Sequence, residues 1–194
     1  MIIHKDTETL IRDVLGDKYV DLKATKLTFE EDFATERVRV RCDVTDDKGA
    51  QHIEGEGVGL LDAFFGGLSK HLAKNYPSLK TIVFADFLVK ADVNTKKVSS
   101  ASDAAARVEL IVENPDKRRF TFSHASRSIT HSSVEVTIQA CAYFLNSERA
   151  FLQVRSALEH AQKENRQDSV KRYTAILAQL VENTSYSEAL SKKS

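Results

Sequence analysis

Two histidines, His124 and His131, stand seven positions apart. A zinc site needs three or four converging donors, and no third ligand type lies beside them in sequence, so they read as turn or surface residues. Asp62, Asp86 and Asp103 are scattered along the chain and read as helix-start or strand-edge acids. No pair of carboxylates declares an acid and a base. Cys42 and Cys141 are too few and too far apart for a disulfide scaffold or a CxxC site, and read as buried thiols. No serine or cysteine sits on a strained turn with a histidine base. Gly55-Glu56-Gly57-Val58-Gly59 has the look of a phosphate loop. No Gly-Lys-Ser/Thr follows it, however, and Glu56 would repel a phosphate. These residues predict no catalytic group, no metal and no cofactor.

What remains is a site made by backbone. Gly57 and Gly59 free the chain to adopt positive φ and to approach another group closely, just before Leu61, Phe64, Phe65, Leu68 and Leu72 recur at helical spacing. Unpaired amides and the positive end of the helix dipole favour a carboxylate at such a start, which would suit a small amino acid. Equally, the glycines serve only to let strand end and helix pack tightly.

The elements that must hold this turn follow from periodicity. Thr7 to Leu15 predicts a short helix capped by Thr7 and stopped by Gly16. Tyr19 to Phe29, Arg37 to Asp43 and Gln51 to Gly55 predict three strands, the last two joined by a hairpin at Asp46-Asp47-Lys48-Gly49. The glycine turn and helix come next, ending near Asn75-Tyr76-Pro77. The plan then repeats: strands at Thr81 to Val93, Ala104 to Glu113 and Arg119 to Ser123, with a polar loop at Asn94 to Ser102 and a turn at Asn114-Pro115-Asp116-Lys117. Ser126 to Ser133 leads into a helix from Val134 to Asn146, with Val134, Ile138, Cys141, Ala142 and Leu145 on one face. The chain therefore reads as a tandem repeat. From Glu148 to Glu182, Phe151, Leu158, Tyr173, Leu177 and Leu180 predict two helices in a hairpin, broken in the polar run Lys163 to Asp168, and Ser185 to Ser194 predicts a frayed tail.

The 194 residues are 42% hydrophobic, enough for a real core, and Lys+Arg 28 balances Asp+Glu 28. No charge excess draws the chain to nucleic acid or to an anionic membrane. No apolar run reaches the roughly 18 residues of a spanning helix, and the first residues lack the pattern of a signal peptide. The expectation is a cytoplasmic protein.

The same landmarks resemble the C-terminal regulatory (dimerisation) domain of the 2-isopropylmalate synthase and citramalate synthase family. From about Tyr19 to Asn146, Gly57-Val58-Gly59-Leu60-Leu61-Asp62-Ala63-Phe64 is similar to the family's Gly-x-Gly-Pro, Asp-Ala and apolar helix, with Leu60 where the family has proline. Tyr76-Pro77 followed by Asp86-Phe87-Leu88-Val89 resembles its Tyr-Pro and Asp-Tyr-x-Val. Ala101-Ser102-Asp103-Ala104 with Arg107-Val108 resembles Gly-Thr-Asp-Ala and Arg-Val, and Ser126-Arg127-Ser128-Ile129 through Ser132-Ser133 to Asn146 resembles the last landmark. The resemblance implies an α+β fold of two βββα units in a two-layer domain, a homodimer, and leucine or isoleucine bound near the dimer interface. Carried over by position, the ligand pocket comprises Gly57, Gly59, Leu61, Asp62, Phe87, Ala104 and Ile129. The family's catalytic barrel is absent, so no enzymatic activity is expected.

The organisation expected is a leading helix over 1–18, the regulatory-type domain over 19–147 (repeats of about 19–75 and 76–147), a helical extension over 148–184 and a tail over 185–194. The function expected is a stand-alone regulatory module, dimeric at micromolar concentration, that binds a branched-chain amino acid or docks onto a separate synthase. The alternative is a structural scaffold that has lost its ligand, since Ser123-His124-Ala125 stands where the family keeps a second glycine turn. An enzyme with an unrecognised site is a third reading.

Overall fold

The computed structural model describes residues 3–91 and 105–191. Helix α1 (Ile3–Leu15) ends where Gly16 takes φ +50°, as the sequence predicts. Thr7 lies inside that helix and does not cap it. Strands β1 (Lys23–Asp32), β2 (Arg37–Asp46) and β3 (Gly49–Gly57) form an antiparallel sheet in sequential order, followed by α2 (Leu60–Leu72). A 3-10 turn over Pro77–Thr81 leads to β4 (Val83–Ala91), β5 (Ala106–Glu113) and β6 (Arg119–Ser126), a second antiparallel sheet in the same order, and then to α3 (Ile129–Lys163). Helices α4 (Gln167–Leu180) and α5 (Ser187–Ser191) close the chain. The fold is α+β, with two tandem βββα units. The loop expected at Asn94 to Ser102, and the candidate Ala104, lie outside the described residues.

The two units share more than their order. Each outer strand carries a register shift at the same place, between Ala24 and Lys26 opposite β2 and between Phe84 and Asp86 opposite β5. Aligned on these bulges, Val40 corresponds to Val108 and their partners Gly55 and His124 correspond. By the same register Gly57 corresponds to Ser126, and the helix caps Gly59 and Ser128 coincide.

Alternation explains the first sheet. Val38, Val40, Cys42 and Val44 of β2 are buried on one face while Arg37, Arg39 and Arg41 point to solvent, where Arg39 and Arg41 face Glu56 and Glu54 across the ladder. The hairpin to β3 is made by Gly49 at φ +115° and by the Asp46 carboxylate, which accepts from the Lys48 amide at 2.8 Å. All five helix residues predicted to face the core, Leu61, Phe64, Phe65, Leu68 and Leu72, are buried.

Helix α3 departs from expectation. It does not stop at Asn146 but runs unbroken for 35 residues, and from Ser132 to Glu148 almost every position is buried, with Ala142 half-buried. Only Glu135, Gln139 and Ala142 leave a narrow half-exposed stripe, because α3 packs on β5 and β6, on α1 and on α2. Asn146 explains why a polar residue sits there: its amide accepts from the Val20 amide and donates to the Val20 carbonyl, both at 2.9 Å, as a neighbouring strand would. The helix ends in the predicted polar run, where Asn165 takes φ 54° and the Arg166 amide bonds back to the Ala161 carbonyl at 2.9 Å.

The tail also departs. Through α5 it folds back on the second unit, with Tyr186 at 4% and Ala189 at 3% exposure, because it has aromatic and amide groups to place. Tyr186 stacks on Phe151 with ring centroids 4.2 Å apart. The Tyr143 hydroxyl donates to Asn183 at 2.9 Å, Asn183 donates to Ser147 at 2.8 Å, and Ser147 bonds the Tyr186 hydroxyl, which donates to the Leu180 carbonyl at 2.9 Å. Burial pushes both tyrosine hydroxyls well above their ordinary range.

Candidate functional site

The turn before α2 is built by close approach. A Cβ on Gly55 would run into the carbonyl oxygen of Ala63, and one on Gly67 would run into that of Glu54, so strand and helix meet backbone to backbone. At Gly57 a Cβ would strike the Asp62 carboxylate. Neither Gly57 nor Gly59 uses positive φ. Gly59 is extended at φ −159°, with open space where a side chain would go.

Asp62 occupies the place where a ligand carboxylate was expected. From the first turn of α2 its Oδ2 accepts from the Val58 amide at 3.2 Å, one residue before the Gly59 cap, and its charge matches the helix dipole. Asp62 thus places a negative charge of the chain's own at the helix start. A bound molecule meets a carboxylate there, which favours a cationic or hydroxyl group on the ligand.

A groove of about 650 Å³ opens beside this turn, between the outer side of α2 and the start of β4. Its apolar lining includes Phe65 and Phe84, packed edge to face at 6.3 Å, with Ala73, Leu79 and Ile82, and its polar groups include Asp62, Ser69 and Lys70. Gly66 opens onto it with nothing within 4 Å of a Cβ position. Lys74 and Lys80 join Lys70 in the lining, so the groove offers a small amphiphile an apolar floor, one carboxylate and three ammonium groups.

Of the residues carried over by resemblance, Gly57, Gly59, Leu61 and Asp62 share one turn, and Asp62 lines the groove. Leu61 is instead buried in the core at 7% exposure. Phe87 pairs with Leu110 inside the second sheet and packs on the core, and Ile129 is 49% exposed at the start of α3; neither lines the groove. Sequence reasoning missed Gly66, Ser69, Lys70 and Ala73, the second face of α2. Their spacing from Asp62 follows the helical repeat, but the apolar stripe opposite dominates the pattern.

Burial, with Asp43 nearby, pushes the Cys42 thiol up to about 11, and burial alone pushes Cys141 up to about 12. Among the described residues no three or more His, Cys, Asp or Glu gather as a metal site, and no helix is long and apolar enough to cross a membrane.

A family model described as the LeuA allosteric (dimerisation) domain matches residues 1–145. It spans α1, both sheets, α2 and the first half of α3, and leaves the remainder of α3 with α4 and α5 beyond it. Glycine turn, paired βββα units and sequence match agree: the chain belongs to the LeuA allosteric (dimerisation) domain family.

Proposed function

We propose that this chain is an effector-responsive dimerisation module that binds a small amphiphilic amino acid such as leucine or isoleucine in the groove beside α2, and through it modulates a separate 2-isopropylmalate or citramalate synthase. The family is a regulatory dimerisation domain, not a catalytic one. The observation that carries the ligand is the groove itself: an apolar floor at Phe65, Phe84 and Ile82 with the Asp62 carboxylate at one end. Asp62 would face the ammonium group, and the aliphatic side chain would lie on the aromatic floor.

Gly66 supplies the test. A leucine there extends into the groove from a position with no neighbour within 4 Å, and helical leucine is favoured over glycine, so Gly66→Leu folds at least as well as the parent. Calorimetry with leucine, isoleucine and valine at millimolar levels gives heat with the parent and none with Gly66→Leu. Absence of heat and of thermal shift with all three ligands in the parent removes the effector.

Assembly rests on a different observation. Phe29 and Val89, at corresponding places opposite Val40 and Val108, are 44% and 46% exposed on the outer strands, and Ile129 is 49% exposed at the start of α3. A second copy would cover them. Light scattering after size exclusion gives twice the mass of one chain, and Val89→Asp shifts it toward the monomer; a parent that stays monomeric on concentration excludes the dimer.

The scaffold reading keeps one observation in its favour. Asp62 already places a carboxylate at the helix start, hydrogen-bonded to the Val58 amide, so the turn carries an anion of its own. Effector-free dimers that still capture the synthase would favour it.

A further inference from the structure

One wall of the groove beside α2 is the turn over Pro77–Thr81, which contributes Leu79 and Lys80 to the lining. A 3-10 turn of five residues has little stability of its own, and the bond that closes it, from the Ile82 amide to the Leu79 carbonyl, is 3.4 Å long. It is tethered instead from three sides. From α3 the buried Glu148 carboxylate accepts from the Ser78 amide at 2.9 Å, and from α2 the Ser69 hydroxyl donates to the Leu79 carbonyl at 3.3 Å. The third tether is the C-terminal segment. Thr81 gives its one hydroxyl hydrogen to the Ser78 carbonyl at 2.7 Å, so its contact of 2.9 Å with Thr184 is a donation from Thr184. Beside it the Lys80 ammonium donates to the Glu188 carboxylate at 2.8 Å. The segment is anchored at its other side to the turn between β5 and β6, where the Asn183 carbonyl accepts from the Asn114 side chain and Glu182 pairs with Arg118, both at 2.8 Å. It lies beyond residues 1–145, the part of the chain that the family model matches.

We propose that residues 183–188 are a latch on the groove: they hold its 77–81 wall in place, so that releasing them lowers the groove's affinity for an amphiphilic amino acid, and filling the groove tightens them. The latch rests on the groove's being the effector site, and adds a means of control to it. Its two effects are one coupling free energy seen from either end, because coupling between sites is reciprocal. Both latch contacts end on the wall itself, at Lys80 and Thr81. Lys80 also belongs to the lining, and Glu188 takes only one of its three ammonium hydrogens, so the pair orients the ammonium and leaves two hydrogens for a ligand carboxylate. The Lys80 and Glu188 side chains are 54% and 49% exposed, so this half of the latch opens to solvent without disturbing the core.

The test compares the full chain with the double variant Thr184→Val, Glu188→Gln by amide hydrogen exchange and by calorimetry with leucine. Both changes keep side-chain size, and Thr81 retains its own acceptor at Ser78, so the variant folds and exchanges over β1–β3 as the parent does. Exchange over residues 78–82 speeds up about tenfold in the variant, and its Kd for leucine rises about threefold or more. In the parent, leucine slows exchange over 183–188. Should the buried change at Thr184 disturb folding, Glu188→Lys alone sets two like charges face to face at exposed side chains and moves exchange and affinity in the same directions. Exchange over 78–82 that is unchanged in the variants overturns the latch, and so does a leucine affinity equal in parent and variants. A parent that binds none of leucine, isoleucine and valine removes the ligand reading instead, and the 78–82 comparison then still decides whether the C-terminal segment holds the wall.

Discussion

The turns that open α2 and α3 follow one backbone plan and are sealed by opposite means. Before α2, Gly55, Gly57 and Ala63 remove side chains so that peptide groups touch. Before α3, the corresponding His124, Ser126 and Ser132 keep them and join through the ring nitrogen and two hydroxyls. Sealing by backbone leaves no room for substitution at Gly55. Side-chain sealing leaves groups that can be exchanged, protonated or offered to a ligand. The two copies thus share one backbone geometry, while the second turn carries functional groups where the first carries glycine.

The largest expected effect breaks the backbone seal. Gly55→Val drives a branched side chain into the Ala63 carbonyl and lowers stability in urea unfolding by at least about 3 kcal/mol. A loss below about 1 kcal/mol would mean that α2 can stand off from β3. Next is the tie between units: Asn146→Ala strips both partners from the buried Val20 peptide and costs about 2 kcal/mol by the same measurement.

Ser132→Ala probes the side-chain seal and costs about 1 kcal/mol, because it removes one acceptor and one donor at a half-buried contact. The gap between it and Gly55→Val measures the difference between the two modes of sealing. Smallest is Gly66→Ala, on the open side of α2: it raises stability by about 0.8 kcal/mol through helix propensity alone, seen as a higher thermal midpoint.

Periodicity made the strands legible, since Val38, Val40 and Cys42 alternate with arginines and only one register buries them. It also exposed the repeat. It could not find the continuity of α3, because a helix packed on a sheet and other helices keeps only a narrow half-exposed stripe to give it phase; Asn146 looked like an end and is a side chain imitating a strand. The tail was misread for a related reason: Tyr186 and Asn183 are held by partners at Ser147 and Tyr143, far away in sequence. Of the two reasons expected for the glycines before α2, close approach holds at Gly57, and neither Gly57 nor Gly59 uses positive φ. The contact of His124 with Ser132 depends on the register of β5 with β6, which places His124 opposite Val108 at the mouth of α3.

The length of α3 constrains how this chain can vary over evolutionary time. Its 35 residues extend about 52 Å, and each residue added or removed turns everything beyond it by about 100°. The chain must nevertheless return through α4 so that Asn183 and Tyr186 reach Tyr143 and Ser147. A single insertion in the far half of α3 would misalign that return unless α4 changed by a matching amount. Among relatives that carry the extension, length differences should fall in the turn around 163–168 or occur as paired changes in the two helices, and the near half of α3 should keep a constant length.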